Sequence, residues 1–257
     1  MAERLPVALQ MYTVRDDAAR DFHGTIRTVA RIGYEAVELA GLGGLSPREA
    51  RVLLDDNGIR VAGMHAALDA LEGNLDGVIE DARMLGSGFV TCPYLAEDRR
   101  RSADAYRQVG ETLSAIGAKL QEAGLQLCYH NHAFEFDKFD GENGFDLLFA
   151  AADPKLVQIE LDTYWVQKGG EDPAAYLRRY AGRVPLIHLK DMTEAGEQGT
   201  FAEVGEGVMD FDAIFAAASV AGGRYYIVEQ DVCQRPPLES ARISLNNLRE
   251  MGVTTVG

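Results

Sequence analysis

The chain is poor in features that mark several large classes of protein. Its 257 residues include three cysteines, Cys92, Cys128 and Cys233, none of them in a CxxC pair. An odd count without paired spacing argues against a disulfide framework, and we interpret all three as small buried hydrophobic residues. The N-terminus lacks the apolar core of a signal peptide, and no apolar run reaches the length of a membrane span. We therefore expect a soluble, cytoplasmic protein with no membrane partner.

Positive charge is also scarce. The chain has 25 Lys and Arg against 40 Asp and Glu, for a formal net charge of −15. Such an acidic surface repels phosphate backbones and anionic lipids. The densest basic runs, 99–101 and 178–179, are short enough to be solvated helix faces. We expect no nucleic acid partner.

A glycine-rich phosphate turn is missing as well. Such a turn usually follows the first strand of an open doubly wound sheet, but here the residues are Thr13-Val-Arg-Asp-Asp17. The stretch Gly41-Leu-Gly-Gly44, after the second predicted strand, has the wrong spacing. Strand-like and helix-like segments alternate about eight times, which implies βαβ units around a parallel sheet. We predict an α/β protein that forms a single (β/α)₈ barrel over residues 1–257, with the open sheet as the alternative.

Several predicted strands turn polar where they end. Apolar runs lead into polar residues in Val184-Pro-Leu-Ile-His-Leu-Lys-Asp191 and in Tyr225-Tyr-Ile-Val-Glu-Gln-Asp231. The same happens in Leu125-Gln-Leu-Cys-Tyr-His-Asn-His132 and in Val157-Gln-Ile-Glu-Leu-Asp-Thr163. Active sites of such barrels lie at the C-terminal strand ends. The pattern therefore predicts one polar site at the barrel mouth.

The candidate metal ligands come from four successive strands: Glu135, Asp162, His188 and Glu229. Three carboxylates and one imidazole suit one divalent ion, with Mn²⁺ first and Mg²⁺, Co²⁺ or Zn²⁺ as alternatives. Each residue alone is more often a helix cap or a core residue. Their coincidence favours the metal site, since carboxylates after apolar runs cost several kcal/mol to bury, roughly, unless they are paired.

Five strings carry a resemblance to a known family, and together they span nearly the whole chain. They are Leu9-Gln-Met-Tyr-Thr-Val-Arg15, Tyr129-His-Asn-His-Ala-Phe-Glu-Phe136, Glu160-Leu-Asp-Thr163, His188-Leu-Lys-Asp191 and Val204-Gly-Glu-Gly207. The chain resembles the xylose isomerase-like barrel superfamily, in its sugar phosphate isomerase/epimerase branch. That group includes ketose 3-epimerases, hydroxypyruvate isomerase and inosose dehydratase. The resemblance implies a metal held by Glu135, Asp162, His188 and Glu229, with the two glutamates flanking the substrate.

The implied activity is that of a metal-dependent isomerase or epimerase acting on a small keto sugar or polyol. A divalent ion polarises a ketone and acidifies the adjacent C–H bond. Glu135 or Glu229 would take the proton as catalytic base to form an enediolate, and the opposite glutamate would return it. Ketose epimerases carry a histidine three residues after the aspartate ligand, where this chain has Trp165. That departure weakens the assignment as a ketose 3-epimerase.

Other residues are expected to shape the pocket. The place of Glu135 depends on how strand five ends, and His130 or His132 is the alternative ligand or a substrate contact. His188 and Lys190 share one strand face through their i, i+2 spacing. The expected substrate contacts are His65, His130, His132, Lys190, Glu38, Gln10 and Trp165. The loop from Thr193 to Val208 is expected to be a lid or substrate loop.

The main alternative is a lyase that uses the same metal site. If the enolate expels a neighbouring hydroxyl, the reaction is a dehydration like that of inosose dehydratase, and enzymes that cleave 3-keto glycosides follow similar chemistry. A DNA-repair endonuclease of the same fold would need a basic groove, which the charge of −15 disfavours. A non-catalytic sugar-binding barrel is disfavoured because all four candidate ligands are present. Homo-oligomers are common among such relatives, but the sequence carries no interface signal.

Overall fold

The computed structural model describes residues 4–196 and 198–254. Its central feature is a closed barrel of eight parallel strands, in which the first strand pairs with both the second and the last. This confirms the (β/α)₈ prediction and excludes the open sheet. The strands are β1 Val7–Gln10, β2 Ala36–Leu39, β3 Arg60–His65, β4 Phe89–Cys92, β5 Gln126–His130, β6 Val157–Asp162, β7 Leu186–Leu189 and β8 Tyr225–Val228.

Helices cover the outside of the barrel. None in the described ranges is long and apolar enough to cross a membrane. They are α1 Arg15–Arg20, α2 Phe22–Ile32, α3 Pro47–Asp56, α4 Leu68–Gly73, α5 Leu75–Leu85, α6 Ala103–Glu122, α7 Gly144–Ala151, α8 Thr163–Lys168, α9 Pro173–Arg179, α10 Phe211–Ala221 and α11 Pro237–Glu250.

Local sequence signals set many of these boundaries. At α3, the Ser46 side chain accepts from the Glu49 N–H, and the Glu49 carboxylate accepts in return from the Ser46 N–H. This capping box satisfies two N–H groups that the first turn leaves without helical partners. Helix α5 ends at Gly86, whose φ of 72° is one that glycine adopts without strain.

The first strand is shorter than its apolar run suggested. Residues Val7 to Val14 look like one strand, but β1 ends at Gln10 and a 3₁₀ turn occupies Met11–Val14. The Gln10 side-chain oxygen accepts from the Tyr12 N–H at 3.0 Å, which turns the chain at that point. As a result Tyr12 is carried to the barrel mouth, where it is partly exposed.

The barrel separates two apolar regions. A large one lies between strands and helices, and a small one fills the lower part of the barrel interior. In a strand, residues two apart share one face, so Gln10 follows Ala8 into the interior and Glu38 follows Ala36. The lower interior layer consists of Ala8, Ala36, Ala62, Cys128, Leu186 and Ile227. The barrel interior therefore changes from apolar to polar within two residues along each of these strands.

A close contact of α6 gives a stability prediction. An added Cβ at Gly117 would lie 2.5 Å from the backbone oxygen of Leu156, which cannot move as a side chain tip can. Gly117→Ala should therefore lower the free energy of unfolding by about 1–3 kcal/mol, the usual cost of overpacking. Gly88→Ala is the matched control, since no atom lies within 4 Å of its added Cβ. Urea titrations of both variants check this, and equal midpoints would contradict it.

Candidate active site

Four side chains meet at the C-terminal ends of β5 to β8. His130, Asp162, His188 and Glu229 each offer one ligand atom, and these atoms all lie within 4.8 Å of one another. We call these four residues the upper cluster. All four are buried, and Glu229 and His130 line a cavity that opens at the mouth. Asp162, His188 and Glu229 were predicted as ligands, and the structure brings them together with His130.

The cluster is fixed by contacts between strand ends. The Asn131 amide accepts from the Asp162 N–H at 2.9 Å and donates to its carbonyl at 3.3 Å. The Thr163 hydroxyl donates to the His188 carbonyl at 2.8 Å. These bonds lock the ends of β5, β6 and β7 to one another. The middle residue of His130-Asn-His132 therefore orders the backbone beneath the cluster.

The two imidazoles of the upper cluster each have a second nitrogen that points deeper into the barrel. His130 Nδ1 lies 3.0 Å from Glu160 Oε1, and His188 Nε2 lies 2.8 Å from Glu38 Oε2. Their other nitrogens face the cluster, with His188 Nδ1 2.9 Å from Glu229 and His130 Nε2 3.6 Å from Asp162. Buried carboxylates that accept one ring N–H orient histidines whose other nitrogen binds a metal.

Glu160 is the centre of this deeper layer. Its Oε1 lies 2.9 Å from His65 Nε2 and 3.0 Å from His188 Nε2, while its Oε2 accepts from the Thr91 hydroxyl at 2.7 Å. Burial would raise the pKa of Glu160, but His188 and His65 hold it well below the ordinary value. The residue is thus a buried anion that several donors surround.

Sequence reasoning did not single out Glu160 or Asp231. Glu160 lies two residues before Asp162, and the same i, i+2 rule that paired His188 with Lys190 places both on one strand face. Asp231 lies two residues after Glu229 and lines the cavity. Spacing alone was therefore a usable signal for both residues.

Lys190 neutralises the upper cluster from one side. Its Nζ lies 2.9 Å from Asp162, 2.8 Å from Glu229 and 2.7 Å from Asp231. Burial lowers the pKa of Lys190, but the three carboxylates outweigh it and hold that pKa well above its ordinary value. The same ammonium helps to hold the pKa of Glu229 well below its ordinary value, although burial acts in the opposite direction.

The structure does not bring Glu135 to the cluster. Its carboxylate accepts from the Tyr129 hydroxyl and, at 2.7 Å, from the His132 N–H. Tyr129 belongs to the apolar layer between strands and helices, so this carboxylate is held outside the barrel interior. Burial raises the pKa of Glu135 to about 8, despite these hydrogen bonds. These hydrogen bonds tie Glu135 to the end of β5.

The predicted substrate contacts lie at three different depths. Gln10 and Glu38 are fully buried below the cluster, where Gln10 Nε2 donates to Glu38 Oε2 at 2.7 Å. His65, His130 and His132 line the cavity. Trp165 lies behind its wall, 5.5 Å from the His132 ring and 5.6 Å from Lys190 Nζ.

His132 presents an unused polar atom at this wall. Its Nδ1 is buried, with no hydrogen-bond partner among the described residues. Burial, reinforced by His130 and Lys190, lowers the pKa of His132 to about 2, so the ring is neutral.

The long loop after β7 is organised around Asp191. Its carboxylate accepts from the backbone N–H groups of Met192, Gly205, Gly207 and Met209 at 2.7–3.1 Å. A side chain at Gly207 would strike this carboxylate, which explains the glycine there. Asp191–Met192 also pair with Phe201–Ala202 in a short antiparallel hairpin. Residue 197 of the expected lid lies outside the described residues.

The upper cluster fits a divalent ion. Two imidazole nitrogens and two carboxylate oxygens are donors that Mn²⁺, Co²⁺ and Zn²⁺ accept. Asp162 Oδ2 is buried and accepts no hydrogen bond from the described residues, although Lys190 lies near it. A buried acceptor of this kind is costly unless a cation or donor satisfies it. A second group of four residues shares His130 and His188 with the upper cluster and adds His65 and Glu160. Its ligand atoms also lie within 4.8 Å of one another.

Comparison with known proteins fixes the family. The profile described as xylose isomerase-like TIM barrel matches residues 26–251. This chain belongs to that family. Curated relatives include inosose dehydratases of Lacticaseibacillus casei, 30% identical over 54% of this chain and 52% of the relative, and of Clostridium tetani, 28% identical over 60% and 57%. The chain thus spans about half the length of the curated relatives it matches.

Solved structures share the fold over the full chain. A sugar phosphate isomerase/epimerase from Parabacteroides distasonis aligns with a TM-score of 0.83 and 21% identity, covering 97% of this chain and 98% of the other. The IOLI protein with a bound zinc atom aligns with a TM-score of 0.77 and 12% identity, covering 98% and 100%. At these identities the likeness shows that the proteins share the barrel fold, and it does not identify the reaction.

Proposed function

We propose that this protein is a divalent-metal-dependent enzyme that removes the proton beside the ketone of a small keto sugar or keto polyol. The observation that carries the proposal is the upper cluster, which is buried, compact and adjacent to a cavity of about 490 Å³. His130, Asp162, His188 and Glu229 would hold the ion. The zinc in the structural neighbour IOLI supports a divalent ion of the same kind.

The ion supplies a Lewis acid that polarises a bound ketone. Glu229 borders both the cluster and the cavity, so its carboxylate is the candidate base for the adjacent C–H. Lys190 Nζ, 2.8 Å from Glu229, places positive charge where the enediolate oxygen develops negative charge. Proton transfer by such a positioned group contributes about 10²–10⁴-fold to the rate.

Of the reactions open to the enediolate, dehydration is the one that the site favours. Epimerisation through two glutamates would need Glu135 at the cavity, whereas Tyr129 and His132 hold that carboxylate elsewhere. Elimination needs one base and one acid. His65 lines the cavity, and although burial lowers its pKa, Glu38 and Glu160 raise it to about 10, so the ring can protonate a departing hydroxyl. The inosose dehydratase relatives point to the same reaction.

Isomerisation is the second candidate. A single carboxylate can take a proton from one carbon and return it to the next on the same face, so Glu229 alone suffices. This reaction shares the metal, the base and the enediolate with dehydration. The two differ in whether a hydroxyl leaves.

The test is solvent exchange followed by product analysis. The protein loaded in turn with Mn²⁺, Co²⁺, Zn²⁺ or Mg²⁺ is incubated in D₂O with inososes and small ketoses. We expect deuterium beside the ketone with at least one metal, and loss of this exchange after chelation. An ultraviolet band from a conjugated ketone would identify dehydration, and a new ketose or aldose would identify isomerisation. Absence of exchange with every loaded metal would overturn the proposal.

A further inference from the structure

The lining of the cavity above the cluster is of two chemical kinds. Half of it is polar and consists of His65, His130, His132, Glu229 and Asp231. The other half is mainly apolar and consists of Tyr12, Ala40, Ala67, Pro93 and Tyr94. A small ketone with a hydroxyl on every other carbon would pair with the polar residues and leave the apolar residues without a matching group.

Tyr12 contributes one exposed ring to the apolar part of the lining. The ring is 43% exposed, and the guanidinium carbon of Arg15 lies 4.2 Å from its centroid. Arg15 is itself fixed, because it donates to the Tyr12 carbonyl at 2.8 Å and to the Asp231 carbonyl at 3.0 Å. The guanidinium covers one face of the ring, and the residue still remains partly exposed.

Tyr94 contributes the second exposed ring. The residue is 48% exposed. Its ring is nearly perpendicular to the rings of His132 and Phe134, whose centroids lie 5.3 and 5.4 Å away. Arg100 lies 3.7 Å from the Phe134 centroid and donates to the Leu95 carbonyl at 3.2 Å. This packing holds Tyr94 in place before any ligand arrives.

The two exposed aromatic rings lie at one place on the surface. Among the described residues, Tyr12 and Tyr94 are the aromatic side chains that are largely exposed, and both line the same cavity. Exposed apolar surface that continues into a polar cavity is typical of a ligand-binding groove. Preformed aromatic walls bind flat apolar faces at a low entropic cost.

We infer that Tyr12 and Tyr94 form a distal subsite for a second ring of the substrate. The inference rests on the proposed function, since the keto ring lies beside the upper cluster. The occupant is an uncharged ring with an apolar face, linked to the keto ring as in a glycoside. A second sugar ring and an aromatic aglycone both offer this face.

A charged occupant fits less well. Glu229 and Asp231 border the cavity with negative charge. The guanidinium groups nearest the rings, those of Arg15 and Arg100, already donate to backbone carbonyls. The subsite therefore favours a neutral ring over a phosphate.

The test uses three probes built on the same keto-hexopyranose: a methyl glycoside, a phenyl glycoside and a disaccharide. Calorimetry on Mn²⁺-loaded protein gives their dissociation constants, and deuterium wash-in gives exchange at the keto ring. We expect the phenyl glycoside, the disaccharide or both to bind about tenfold tighter than the methyl glycoside. Tyr12→Ala and Tyr94→Ala should remove most of this gain, whereas Tyr94→Phe should keep it. Val52→Ala, an exposed apolar position on α3, is the control for surface truncation.

The outcomes separate the two claims. Exchange with all three probes but equal affinities would overturn the subsite and leave the proposed function standing. A gain that survives both alanine variants would also overturn it, because the second ring would then bind elsewhere. No binding and no exchange with any probe would remove the proposed function for this substrate class and the inference with it. The phenyl and disaccharide arms show which kind of second ring the subsite accepts.

Discussion

Replacing Asp162 by asparagine should strip the protein of its divalent ion while the barrel stays folded. Asp162 Oδ1 caps α8 by accepting from the Trp165 N–H at 3.0 Å, and asparagine caps helices equally well. The substitution therefore removes one negative charge from the upper cluster and keeps the cap. We expect metal affinity to fall by more than the roughly 10–100-fold that loss of an outer-shell partner causes. Exchange of the substrate proton should fall in step, by about 10²-fold or more.

Elemental analysis of purified variants measures this directly. Asp162→Asn and His130→Gln should both lose the ion that the wild type carries. Glu135→Gln should retain it, because that carboxylate is held by Tyr129 and the His132 N–H. Glu111→Gln, an exposed carboxylate on α6, controls for loss of one negative charge. Metal loss in Glu135→Gln with retention in His130→Gln would contradict the arrangement and restore Glu135 as a ligand.

Glu160→Gln should weaken metal binding although Glu160 lies below the upper cluster. The carboxylate Oε1 faces His65, His130 and His188 at 2.9–3.0 Å. A glutamine keeps the volume but loses the charge, and its amide cannot accept from all these ring nitrogens. The histidines then lose the acceptor that fixes their orientation, and we expect a loss of about 10–100-fold in metal affinity.

The same substitution should destabilise the metal-free protein. Breaking a buried ion pair costs about 3–5 kcal/mol, because an uncompensated charge remains. Titration with Zn²⁺ against a fluorescent chelator gives the affinity, and thermal unfolding with and without metal gives the stability. Thr91→Val is a useful companion, since it removes the 2.7 Å hydrogen bond to Oε2 and leaves the contacts of Oε1 intact. An unchanged affinity in Glu160→Gln would show that Glu160 serves only the apo structure.

The positions of Glu160 and Glu135 show what residue spacing can and cannot predict. Glu160 was within reach of sequence reasoning, because residues two apart on a strand share a face. Glu135 was not, because it follows β5 by five residues, within a 3₁₀ turn at Phe134–Phe136. The direction of a side chain in such a turn depends on which partners accept or donate to it, here Tyr129 and the His132 N–H. Both partners are near in sequence, but spacing alone does not show that they bond to Glu135.

The sequence by itself determined the barrel and the strands that supply its site. Alternating apolar strands and capped helices specify βαβ units, and parallel strands align their C-terminal ends whatever the loops contain. That is why Asp162, His188 and Glu229 could be placed at one mouth from the chain alone. Tertiary structure decided which nitrogen of His130 and His188 faces the cluster, where Glu135 points, and that Tyr12 and Tyr94 share a cavity. The histidine orientations and the shared cavity depend on contacts between residues far apart in sequence, and such contacts exist only once the barrel has closed. The direction of Glu135 depends on how the turn after β5 folds onto Tyr129 and His132.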